Sequence, residues 1–135
     1  MKLNTGRVAF PIEFDNGDKE VIYFNPNDVS LAERIKQMHA NLAKKAEEID
    51  KNKKENATES DYLDMLAKLN QEIKEEFDKA FEFEISKVVF KYSSPLARIE
   101  NKFYASYVME EIDKEIQKQN EKQIKKYEKH IGKYN

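Results

Sequence analysis

Residues 77–107 read FDKAFEFEISKVVFKYSSPLARIENKFYASY and hold eight of the fifteen aromatic residues in the chain. Phe77 and Phe81 continue the helical spacing of Tyr62, Met65, Leu66, Leu69 and Ile73, so a helix enters this stretch from about residue 60. Beyond Phe81 two periods overlap. Phe81, Phe83 and Ile85 alternate with Glu82, Glu84 and Ser86 as in a strand, while Phe81, Ile85, Val88, Val89 and Tyr92 fit one helix face. Helix is favoured, either continuous to residue 92 or broken near 82–84. Pro95 pushes Ser94 out of the helical region and ends the helix. Ser94 then suits an N-cap and Pro95 the first helical position, so a new helix is expected from residue 95. Its apolar stripe is Leu96, Ile99, Phe103, Tyr107, Ile112 and Ile116, thinning to Ile124, Tyr127 and Ile131.

Upstream, Val8, Phe10, Ile12 and Phe14 alternate with Ala9, Pro11, Glu13 and Asp15, the period of a strand with one covered face. Pro11 lacks an N–H and falls on the outward face, which marks an edge strand. Asn16-Gly17 signals a hairpin, and Glu20 to Phe24 is the return strand. The expected inner face is Phe10, Ile12, Phe14, Ile22 and Phe24. After Asn25-Pro26-Asn27-Asp28 comes an amphipathic helix over 29–51, marked by Leu31, Ile35, Met38, Leu42 and Ile49. Ser30 and Glu33 have capping-box spacing, with Asp28 a competing cap. The polar run 51–60 is a helix–helix loop, and its Asn56-Ala57-Thr58 matches a glycosylation sequon by chance. The expected architecture is α+β in a single domain of 135 residues: a β-hairpin (1–28) packed on three main helices (29–51, 60–92 and 95–131), the second kinked or split near 82–84.

Hydrophobic residues make up 39% and charged residues 37%, a balance that supports a thin core complemented by elongated helices or by a partner's surface. Without cysteine there are no disulfides, thiol catalysis or thiolate metal sites. His39 and His130 lack the Glu-x-x-His or His-x-x-x-His spacing of a metal site. Three glycines cannot build a phosphate loop. Clustered Glu72, Glu75 and Glu76 read as a solvated helix face, and Ser93 and Ser94 as capping residues. The reading is therefore non-catalytic, with no metal and no cofactor. A net charge of −2 gives no general attraction to nucleic acid. No run approaches a signal peptide or a membrane span, so a cytoplasmic location is expected. Charge is uneven, however. Residues 59–84 carry nine acids against three lysines, and residues 113–135 carry seven lysines against four acids. These are either two solvated faces that pair loosely or a basic end that docks on an acidic surface of a partner.

Two groups of residues carry a resemblance that covers roughly residues 8–112. One is Phe24-Asn25-Pro26-Asn27-Asp28 leading into a helix. The other is Asp78-x-x-Phe81, Ser86-Lys87-Val88-Val89-Phe90, Ser94-Pro95-Leu96, Phe103 and Tyr107. Together they resemble small proteins encoded in the tail-gene modules of phages and prophages of Gram-positive bacteria, regarded as tail assembly chaperone-like. Members of that family tend to carry a glycine-containing break after the aromatic matching Phe81, where this chain has Glu82-Phe83-Glu84. The lysine-rich tail after Ile116 lies outside the shared pattern. The resemblance implies a protein partner, a long helical tape-measure protein kept soluble during tail assembly in a bacterial host. An aromatic groove would suit such a helix, and its candidate residues are Phe83, Phe90, Tyr92, Phe103, Tyr104 and Tyr107. A structural or self-associating tail component, hence a homo-oligomer, and a small DNA-binding regulator are the alternatives.

Overall fold

In the computed structural model the backbone is described for residues 1–54 and 58–132, and side chains for residues 1–51 and 58–122. The elements are β1 (Val8–Glu13), β2 (Lys19–Phe24), α1 (Val29–Lys54), α2 (Glu59–Phe81), α3 (Ser86–Val89), β3 (Arg98–Ile99), β4 (Lys102–Phe103) and α4 (Tyr104–Gly132). The fold is α+β, an antiparallel N-terminal hairpin followed by a mostly helical body. The sequon residues Asn56 and Ala57, and the side chains of Ile124, Tyr127, His130 and Ile131, lie outside the described residues.

Alternation sets the hairpin register: Val8 pairs with Phe24, Phe10 with Ile22 and Ile12 with Glu20. Phe10, Ile22 and Phe24 are buried, but Ile12 and Phe14 only partly. The loop differs from a two-residue Asn-Gly turn. The Phe14 N–H donates to Asp18 O and the Gly17 N–H to Phe14 O, both at 2.9 Å. This is the three-residue loop in which a type I turn is followed by a left-handed glycine, and Gly17 supplies it at φ 87°. Because Phe14 is hydrogen-bonded across the ladder, so are Ile12, Phe10 and Val8 in alternation. Pro11 therefore falls where an N–H would point away from β2, and its missing donor breaks no bond within the hairpin.

Asp28 starts α1, its Oδ1 accepting the Ser30 N–H at 2.9 Å. Of the two competing caps, the aspartate is the one used. Thr58 caps α2 through the Asp61 N–H. The two helices pack antiparallel, as three cross-links show: Arg34 Nε donates to Ala80 O (2.7 Å), Asn41 Nδ2 to Glu76 Oε2 (3.2 Å), and Lys45 pairs with Glu72 (3.1 Å). Leu31, Met38, Leu69, Ile73 and Phe77 are buried in the core. Rings then run in sequence from the hairpin into the body. Phe10 stacks on Phe24 (4.2 Å), Phe24 meets Phe81 edge-on (5.4 Å), Phe81 lies 6.5 Å from Phe77, and Phe77 meets Phe90 edge-on (5.0 Å).

The second helix is broken, at the place where strand and helix periods competed. Glu82 adopts the left-handed conformation (φ 52°, ψ 35°), the Schellman-like end that glycine usually makes. Arg34 compensates by donating to Ala80 O and pairing with Glu82 at 3.4 Å. The short α3 that follows is held from α2. Asp78 accepts the Ser86 N–H on Oδ1 and the Ser86 hydroxyl on Oδ2, both at 2.8 Å.

The expected helix from residue 95 is not formed until Tyr104. Ser94 and Pro95 instead open a β-turn in which the Ala97 N–H donates to Ser94 O at 3.0 Å, and proline suits the second position of such a turn as well as it suits a helix start. Pro95 is fully buried, and Asn70 of α2 accepts the Leu96 N–H at 2.9 Å. β3 and β4 pair through Arg98–Phe103 and Ile99–Lys102. The intervening Glu100 (φ 49°) and Asn101 (φ 67°) are both left-handed, the pattern of a type I′ turn. The first amides of α4 are then satisfied by the turn, Tyr104 N–H to Ala97 O (2.7 Å) and Ala105 N–H to Pro95 O (2.9 Å). Glutamate bears a Cβ penalty of about 1–2 kcal/mol in this region, partly offset by the greater freedom of glycine when unfolded. Glu100→Gly is thus expected to raise stability by about 0.5–1 kcal/mol, read by denaturant titration.

Candidate functional site

The hairpin and α4 do not close on each other. Between them lies an open groove of about 590 Å³, within the range of pockets that enclose small ligands. One wall is the run Phe10 to Asp15 of β1 and its loop. The other is the α4 face bearing Tyr104, Tyr107, Val108, Glu111, Ile112 and Glu115. Tyr92, Ala97 and Ile99 close one end. α4 places Tyr104, Tyr107, Val108 and Glu111 three or four residues apart, so they project along one side. Val108 and Ile112 are buried at the base, with Tyr104 and Tyr107 half-buried above them. The rings of Tyr104 and Tyr107 lie 5.7 Å apart, tilted by 43°.

Of the six aromatics expected to form a binding surface, three line this groove: Tyr92, Tyr104 and Tyr107. Phe90 does not belong to an exposed surface. It is 7% exposed and fixed edge-on between Phe77 and Tyr104, because α3 turns its buried face onto α2. Phe83 is half-buried against Tyr23 of β2 (6.5 Å, edge-on) and lies outside the groove. The left-handed Glu82 redirects it there. Phe103 is 40% exposed on β4, also outside the groove, with the Arg98 guanidinium over its ring at 4.7 Å. The hairpin wall carries no sequence signal as part of a site. Alternation places Ile12 and Phe14 on the inner face without saying how far the helices extend over it, and both line the groove.

The rim is acidic. Among the described residues Glu13, Asp15, Glu111 and Glu115 line the groove against one base, Arg98. Burial, then the neighbouring Tyr107 and the charge of Asp15, push the Tyr104 hydroxyl above its ordinary range, so it stays a neutral hydrogen-bond donor at the mouth.

One end of the groove is clamped. Lys91 Nζ donates to Asp18 Oδ2 (2.7 Å) and Glu20 Oε1 (3.0 Å), and the Tyr92 hydroxyl also donates to Asp18. The Tyr92 ring meets Phe14 edge-on at 5.0 Å. Lys91 first, then Tyr92, holds the Asp18 carboxyl below its usual value of 3.8. Asp18, then Glu20, pushes the Lys91 ammonium well above its usual range. A depressed carboxylate stabilises the fold above its unfolded pKa and loses that contribution as pH falls through the folded value. A raised ammonium loses its contribution only as pH rises through the folded value. Hairpin amides should therefore keep their hydrogen-exchange protection at neutral pH and lose part of it below about pH 4. Lys91→Met should lose that part at neutral pH and flatten the acid response.

No described helix is long and apolar enough to cross a membrane. Among the described residues no group of three or more His, Cys, Asp or Glu is placed to hold a metal. No family model, curated protein or solved structure matches the chain.

Proposed function

We propose that this protein is a non-catalytic, chaperone-like phage or prophage tail assembly protein that binds a helical segment of a long tape-measure protein in the cytoplasm of a bacterial host. The observation that carries the reading is the open groove floored by Val108 and Ile112, walled by Ile12, Phe14, Tyr104 and Tyr107, and rimmed by acids. Such a site matches the recognition of an amphipathic helix, in which apolar residues at three- and four-residue spacing enter the groove and flanking charges meet the rim. Its half-buried tyrosines offer amphipathic contact area of the kind that anchors interfaces. The resemblance of the Asp78–Tyr107 motifs to tail-module proteins supplies the identity of the client.

Co-expression with a tape-measure protein from the same genome tests the reading. The client should become soluble and co-purify. Tyr107→Asp, which places a charge on the groove wall while sparing the core rings, should lower recovery of the client by about tenfold. Unchanged client solubility together with no co-purification would remove the proposal.

A further inference from the structure

We infer, on the helix-in-groove reading of this site, that its partner is a basic amphipathic helix of about three turns, with lysine or arginine along both borders of the apolar stripe. The two walls agree in length. On α4, Tyr104 to Glu115 extends about 16 Å at 1.5 Å per residue. On the hairpin, Phe10 to Asp15 extends about 17 Å at 3.4 Å per residue. Phe14 and Asp15 stand at the Tyr104 end, for the Phe14 ring meets Tyr92 at 5.0 Å and the charge of Asp15 reaches the Tyr104 hydroxyl. The walls therefore run in opposite directions along the same space. A helix laid between them buries about three turns, and its apolar residues at three- and four-residue spacing face Ile12, Phe14, Val108 and Ile112.

Acids stand on both walls. Glu13 and Asp15 belong to the hairpin and Glu111 and Glu115 to α4, against Arg98 at the closed end. An apolar stripe entering between them therefore has carboxylates on either side, and basic residues on both of its borders are met. Glu13 and Asp15 form no ion pair among the described residues, since Lys91, the lysine of the clamp, is committed to Asp18 and Glu20. Glu111 and Glu115 hold Lys114 (2.9 Å) and Lys118 (3.4 Å) in exposed pairs one turn along α4. Neither lysine lines the groove, and exposed pairs of this kind contribute little. Both carboxylates are thus free to turn to a cation of the partner. A helix with acidic borders would bring like charges together along both walls and lose affinity.

Fluorescence anisotropy of two labelled synthetic peptides against the full chain tests this. Both peptides are helical, about 14 residues long, and carry leucine at the same stripe positions. One has lysine at every bordering position and the other glutamate. The lysine peptide should bind about tenfold more tightly or better, with a dissociation constant that rises with salt. Glu111→Lys with Glu115→Lys should erase that preference, and Glu13→Gln with Asp15→Asn should reduce it. Glu47→Lys with Glu48→Lys makes the same change of net charge on an exposed part of α1 outside the groove, and should leave the preference intact. Circular dichroism equal to wild type excludes unfolding as the cause. Equal binding of the two peptides, a preference for glutamate, a preference that survives both groove variants, or its loss in the α1 variant overturns the basic partner and leaves the helix-in-groove reading standing. Binding of neither peptide overturns both.

Discussion

Phe77→Ala is expected to lower the free energy of unfolding by about 3–5 kcal/mol, the range for deleting a fully buried aromatic ring. Phe77 is 1% exposed and occupies the middle of the ring sequence, with Phe81 at 6.5 Å and Phe90 at 5.0 Å. Its removal deletes both contacts and leaves a void between α2 and α3. With natural domains stable by about 5–15 kcal/mol and a core this thin, the variant should be largely unfolded at 37 °C. Urea titration followed by far-ultraviolet circular dichroism provides the measurement. A loss under about 1.5 kcal/mol would mean that the neighbouring rings collapse into the space, and that the aromatic sequence does not hold the corner as described.

Asp78→Ala should cost about 2–4 kcal/mol for a different reason. Its two carboxylate oxygens accept the N–H and the hydroxyl of Ser86, a buried residue at the start of α3. Alanine leaves both donors without their partner, and each buried unsatisfied group costs about 1–3 kcal/mol. Asp78→Asn should be milder, at about 1 kcal/mol, since Oδ1 can still accept the N–H and the amide can donate to the Ser86 oxygen. Ser86→Ala removes only the hydroxyl bond and should also cost about 1 kcal/mol. The ordering Ala well above Asn at residue 78 is the diagnostic result in the same urea titration; equal losses would assign the effect to helix propensity and not to the clamp. Since α3 positions Val89 and Tyr92 at one end of the groove, Asp78→Ala should also weaken whatever binds there.

At the start of α1 Asp28 competes with the Ser30–Glu33 capping box, and the Ser30 N–H bond decides for the aspartate. The β-hairpin and the bodies of the long helices could be read from the chain because each has one dominant local signal. Residues 95–103 could not. Leu96, Ile99 and Phe103 have the spacing of a helix, Pro95 suits a turn and a helix start equally, and the type I′ turn uses Glu100-Asn101 where glycine would have announced it. At Glu82 the same kind of substitution hid a left-handed helix end, and the ion pair with Arg34 that accompanies it is tertiary. The groove was half legible. Tyr92, Tyr104 and Tyr107 stood out as aromatics, but Phe90 could be assigned to the core only once α3 was seen as a separate turn. Ile12 and Phe14 belong to the site because α4 stops short of covering them, a matter of helix placement that no periodicity encodes.

Pro11 has a consequence for the kind of chain the groove admits. The consecutive residues Phe10 to Asp15 all border it, so the unpaired side of β1 is exposed there. An extended peptide adding to that side would need a row of outward amides, and the only outward donors are Ala9, a gap at Pro11, and Glu13. Strand addition would thus lose its central hydrogen bond. The molecule is protected at this margin against sheet-to-sheet aggregation. A partner that satisfies its own backbone, as a helix does, is spared that loss.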